Sequence, residues 1–208
     1  MTASTPHPRA PRRDATENRA ALLEAARVVL NRDPDAGLDA IAAEAGLTRR
    51  AVYGHFANRD ALLLELVQRG TSRVADALVA VDHPRPLVRL ALIASRMWQE
   101  VDDVRVMTLF AVRGPFQEQV AERLRPVRRH LTRTVREGAR DGVRTDVPAE
   151  TLARLIEGAA ISVLDEAGRT RMAAPAARRL AMLAVLGIAG LDASAANALI
   201  DATPELRA

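Results

Sequence analysis

The stretch LDAIAAEAGLTRRAVYGHF, Leu38 to Phe56, decides how the rest of the chain is read. Its spacing predicts two short helices joined at a glycine. Leu38 and Ile41 give the first helix an apolar face. Ala42 sits where the helices approach, and a larger side chain there would push them apart. Gly46 supplies the positive φ that ends the helix and turns the chain sharply. Leu47 plugs the turn, and the Thr48 hydroxyl is placed to cap the second helix. Val52 and Phe56 pack that helix back onto a core. Arg49, Arg50, Tyr53 and His55 are left pointing away from it, as a surface suited to phosphates and base edges. This is the layout of a helix-turn-helix, whose second helix enters the major groove of duplex DNA.

Working outward, a helix precedes the motif. Asp14 and Glu17 have capping-box spacing, and Leu22, Leu23, Ala26, Val29 and Leu30 form its stripe. It stops at Asn31-Arg32-Asp33-Pro34. Pro6, Pro8 and Pro11 predict that residues 1–13 are a disordered basic arm. Arg9, Arg12 and Arg13 could reach a minor groove, although a solvated terminus is the commoner use of such an arm. After the motif a long helix is expected from Arg59 to Val81. The pattern then stays helical, with faces at Leu87–Val101, Val104–Phe110, Phe116–Val135 (kinked at Pro126), Leu152–Leu164 and Pro175–Leu191. The expected fold is all-α: a three-helix head over residues 14–58 and a larger C-terminal helical bundle over 59–208, with about nine helices in all.

Composition narrows the function. Basic residues number 30 and acidic residues 26 in 208, a net charge of only +4, so bulk charge is a weak pointer to nucleic acid. Every one of those basic residues is arginine, a usage compatible with a GC-rich coding bias and also suited to bidentate contact with guanine or phosphate. The absence of cysteine excludes disulfides, zinc–thiolate sites and thiol nucleophiles. The histidines, His7, His55, His83 and His130, show no metal-ligand spacing. Neither a phosphate-binding glycine loop nor a Gly-x-Ser-x-Gly elbow occurs. Asp102-Asp103 and Asp165-Glu166 are adjacent acids that point apart on a helix. An enzyme is not expected, and neither a cofactor nor a metal is implied. The apolar run Leu180–Leu191 is shorter than the roughly 20 residues needed to span a bilayer, and the N-terminus lacks a secretory h-region, so the chain is expected in the cytoplasm.

The stretch LDAIAAEAGLTRRAVYGHFANRDALLLELV, with RAALLEAARVVL before it, resembles the N-terminal signature of the TetR family of bacterial regulators. The resemblance covers about Arg19 to Val67. It implies a repressor that binds a palindromic operator as a homodimer and is released by a small-molecule effector. It also implies that Thr48, Arg49 and Arg50 read base edges, that Tyr53 and His55 touch phosphates, and that Arg59 stands where the family usually has a lysine reaching the backbone. Three positions depart from the pattern. Gly37 replaces a Thr or Ser that caps the second helix and touches a phosphate, Leu30 replaces an aromatic, and Gly54 carries no side chain.

Two further sites are expected in the body. Leu180 to Leu191 is apolar nearly all round. With the preceding helix it could form an intersubunit four-helix bundle using Leu155, Ile156, Leu183, Leu186, Gly187 and Gly190; the alternative is a buried central helix within one subunit. Met97, Trp98, Met107, Phe110 and Phe116, near Arg96, Arg105 and Arg113, could line a pocket for a small apolar effector, or serve as ordinary core. The rival to a regulator is a helical adaptor that uses the same hairpin against a protein.

Overall fold

A computed structural model of the chain describes residues 11–207, which hold twelve α-helices, two short 3-10 turns and no strand. The all-α class and the order of head before body are as the sequence predicts; the helix count is not. The chain divides into two compact units, one ending at Leu66 and the other beginning at Val67.

The first unit contains α1 (Pro11–Arg32), α2 (Leu38–Glu44), α3 (Arg49–His55) and the start of α4 (Arg59–Val79). α1 includes Pro11-Arg12-Arg13, which the proline count alone assigns to the arm. Proline is tolerated in a first helical turn, because its missing N–H has no partner there anyway. The rest of the expected arm lies outside the described residues. Leu22, Ala26 and Leu30 of α1, Ile41 and Ala42 of α2, Val52 of α3, Phe56, and Leu62 and Leu63 of α4 are all buried. Each large apolar side chain buried this way contributes about 1.5–3 kcal/mol. Gly46 has φ +65°. Its N–H donates to the Ala43 carbonyl at 3.1 Å and that of Leu47 to Ala42 at 2.9 Å, the paired bonds that close a helix through a left-handed residue.

The second unit contains the rest of α4, then α5 (Pro86–Val101), α6 (Arg105–Arg113), α7 (Gln117–Arg123), α8 (Arg125–Glu137), α9 (Ala149–Thr170), α10 (Ala174–Ala189), α11 (Ala193–Ala202) and α12 (Pro204–Arg207). α10 is its central helix, packed along both α5 and α9. Ala177, Ala181, Met182, Val185, Leu186 and Ala189 face inward from it. Phe116 to Val135 is two helices and not one kinked helix. The chain breaks at Leu124, and Pro126 lies in the first turn of α8. α11 and α12 were not anticipated, although Asp192 is a start signal: its carboxylate accepts from the Ala195 N–H at 2.8 Å. Among the described residues no helix is long and apolar enough to cross a membrane.

Candidate nucleic-acid interface and body sites

α3 presents one face because its other face is pinned. Val52 is fully buried and Phe56 nearly so, and Thr48 Oγ1 accepts from the Ala51 N–H at 3.3 Å to start the helix. Thr48, Arg49, Arg50 and Tyr53 are exposed, while His55 and Arg59 are half-buried. The exposed side chains differ in how free they are. Arg49 donates to Asp39 Oδ2 at 2.9 Å and its guanidinium lies 5.6 Å from the Tyr53 ring centroid. Arg50 is exposed and makes no hydrogen bond or ion pair among the described residues. Gly37 precedes α2 with no side-chain cap, so that helix start offers backbone N–H groups and nothing more.

Arg59 does something the motif does not suggest. Its Nε donates to the Ala36 carbonyl at 3.0 Å, and a terminal nitrogen donates to the Pro34 carbonyl. The guanidinium therefore closes the α1–α2 loop. Sequence reasoning missed Arg19 altogether. Its Nε donates to Glu65 Oε1 at 3.2 Å, a terminal nitrogen donates to the His55 carbonyl at 2.7 Å, and its guanidinium stacks 4.4 Å over Phe56. It ties α1 to the end of α3 and the start of α4. Its partners stand 36 and 46 residues away, so no local spacing could have revealed it.

In the body, Trp98, Met107 and Phe116 are buried, while Met97 and Phe110 are half-buried. Phe110 and Phe116 meet edge to face at 6.1 Å. The Arg105 guanidinium lies 5.0 Å from the Trp98 ring and is held by Asp102 Oδ1 at 3.0 and 2.5 Å. Trp98 Nε1 is buried without a hydrogen-bond partner among the described residues. Two cavities in this unit have other linings. One of about 570 Å³ lies between α4 and α7, and one of about 320 Å³ lies between α6, α7, α8 and α9. None of the five expected pocket residues lines either.

The expected dimer face is corrected in part. Ile156 is 2% exposed and Leu186 0%, so both belong to the core of this chain. Gly190 caps α10 with φ +116°, and a Cβ there would stand 3.1 Å from the Arg144 side chain. Its positive φ and missing Cβ serve the turn. A helix apolar all round gave no clue to this. Leu155, by contrast, is 48% exposed. Gly158, Ser162 and Gly187 are also exposed, and Ala159, Leu183 and Ala184 are half-buried.

His130 is buried where α8 meets the end of α4. Its Nε2 lies 2.9 Å from the Val81 carbonyl, and Arg133 donates to Nδ1 at 2.8 Å. That pairing requires the neutral ring with its proton on Nε2. Burial holds the imidazole below its ordinary value, and the Arg133 and Arg89 guanidiniums add to this against the Val81 carbonyl and Asp82.

Residues 22–66 match the model of bacterial regulatory proteins of the tetR family. No curated protein sequence matches the chain. Among solved structures, the MbdR regulator from Azoarcus sp. CIB is 21% identical with a TM-score of 0.68, covering 86% of this chain and 99% of its own. SmeT, the repressor of the Stenotrophomonas maltophilia multidrug efflux pump SmeDEF, is 23% identical with a TM-score of 0.66, covering 83% and 88%. FadR from Bacillus subtilis, in complex with stearoyl-CoA, is 15% identical with a TM-score of 0.67, covering 80% and 97%. The head and the fold define a helix-turn-helix transcriptional regulator. The match to the tetR-family model lies in the head, residues 22–66, and the chain as a whole has the fold of these solved regulators.

Proposed function

We propose that this regulator is a repressor that binds a palindromic operator as a homodimer and is released by a small-molecule effector. The observation that carries the reading is the outward face of α3, where Arg49, Arg50 and Tyr53 stand exposed on a helix capped by Thr48. Thr48, Arg49 and Arg50 are the candidates for base edges, and Tyr53 and His55 for phosphates. Arg50 is the readier of the two arginines, since Arg49 must first leave Asp39. Arg59 acts through the loop it closes.

A single recognition helix covers few base pairs, which favours a two-fold dimer on a symmetric site. The exposed face of Leu155, Gly158 and Ser162 on α9, with Leu183 and Gly187 on α10, supports that assembly. Its small residues permit close helix approach. An effector is supported by the body's cavities and by the stearoyl-CoA held by FadR. Binding to chromosomal DNA places the work in the cytoplasm.

Gel shift on DNA upstream of the chain's own gene, with salt titration and footprinting, tests this. The expected result is a symmetric footprint with an affinity that falls linearly in log–log form with salt. Sequence-independent binding, or none, would return the hairpin to a protein-contacting role.

A further inference from the structure

The two cavities lie on opposite sides of α7, and Glu118 lines both. α7 is lightly anchored, with Val120 its one buried side chain. The smaller cavity, about 320 Å³, is walled by Val112 of α6, Val120 and Ala121 of α7, Leu124, and Ile161 of α9. That is the small end of the range for small-molecule sites, about 300–1,000 Å³, and such sites are apolar with few polar groups.

The polar groups here select a charge. Arg128 is occupied: its Nε and a terminal nitrogen donate to Glu157 at 2.6 and 2.9 Å, and the other terminal nitrogen donates to the Ala121 carbonyl at 3.1 Å. That pair is neutral as a unit. Glu118 is then the uncompensated charge of the lining, exposed at the edge and without an ion-pair partner among the described residues. This is notable in a chain where basic residues outnumber acidic ones by 30 to 26. The lining contains no aromatic ring, so a quaternary ammonium would find no cation–π face. An amine that keeps its N–H groups can donate to the Glu118 carboxylate.

We propose that this cavity binds a small apolar amine, whose hydrocarbon body sits between α6, α7 and α9 and whose ammonium meets Glu118. This names the chemical class of the effector and rests on the repressor reading for its regulatory meaning; the binding itself does not depend on it. Filling the cavity separates α7 from α9, and the larger cavity on the opposite side leaves α7 room to shift.

Calorimetric titration of the full chain with phenethylamine, 3-phenylpropanoate and trimethyl(2-phenylethyl)ammonium tests the site. Phenethylamine is expected to bind saturably and about 5-fold tighter than the quaternary ion, with no saturable binding of the carboxylate. Glu118→Gln, at an exposed position, is expected to weaken phenethylamine by about 5-fold. Ala121→Phe fills the cavity and is expected to abolish binding, with circular dichroism and melting as the check on folding. Equal or tighter binding of the carboxylate, no saturable amine binding, or binding that Glu118→Gln leaves unchanged overturns the proposal. Repeating the operator gel shift with saturating phenethylamine separates the two readings: bound amine with undiminished operator affinity overturns the effector role and leaves the amine site standing.

Discussion

Arg49, Arg50 and Tyr53 on α3 and Leu155, Gly158 and Ser162 on α9 are the outward faces of helices whose other faces are buried. They are finished in opposite ways. The α3 face is charged and aromatic, and in water it is satisfied by solvent and by the Arg49–Asp39 contact. The α9 face is small and uncharged, with the Ser162 hydroxyl donating to the Gly158 carbonyl, and its exposed Leu155 gains free energy when an apolar surface covers it. This contrast underlies the proposal that one face meets a polyanion and the other a second copy of the chain. The supports differ too. The head relies on long polar ties such as Arg19, while the body relies on a central helix of Ala, Leu and Val.

The contrast is most sharply tested in the body. Leu186→Ala should cost about 2–5 kcal/mol in urea unfolding, whereas Leu155→Ser should leave the unfolding of a single chain nearly unchanged and raise the dimer dissociation constant in sedimentation experiments. Equal costs for the two would mean that α10 is not the central helix. In the head, Arg50→Ala should lower operator affinity by about 1–3 kcal/mol, the value of a bidentate base contact. Arg49→Ala should cost less, because it also removes the competing bond to Asp39. Fluorescence anisotropy on operator and random DNA decides the order, and equal losses on both sequences would remove either residue from base readout.

Next in size is Arg19→Ala, expected to destabilise the head by about 1–2 kcal/mol after allowing for its partial exposure. Hydrogen exchange at the end of α3 should rise with it. Arg59→Ala should act likewise through the Pro34–Ala36 loop and leave the salt slope of DNA binding unchanged; a slope smaller by about 1 would place Arg59 on a phosphate instead. The smallest effect belongs to His130. Its folded value is depressed, so the stability it contributes is fully present above the ordinary 6.5 and is lost as pH falls through the folded value. His130→Gln should flatten the dependence of urea unfolding on pH between about pH 7 and pH 5. Parallel curves for the two proteins would assign that dependence to other groups.

How much was legible follows from the distances over which each feature is built. The cap at Thr48, the turn at Gly46 and the stripe of Leu38, Ile41 and Val52 all use partners a few residues away, where the helical period speaks directly. Leu124 as a break was hidden because the stripe from Val120 to Leu131 runs through it. α11 was missed although Asp192 has the right cap chemistry, since Ala-rich sequence beyond a long apolar run shows no contrast between faces.

The sequence by itself determined an all-α chain with a DNA-type helix-turn-helix in its head, because caps, turns and helical periodicity are local and act within about one or two turns of helix. Tertiary structure alone decided which side of α9 and α10 stays outside, that Arg19 and Arg59 serve the head from within, and that α7 lies between two cavities. Those outcomes depend on partners far apart in the chain, and on helices such as α10 whose apolar residues run nearly all round. Periodicity can say that such a helix is buried. The neighbours that pack against it decide which residues are left to meet a partner.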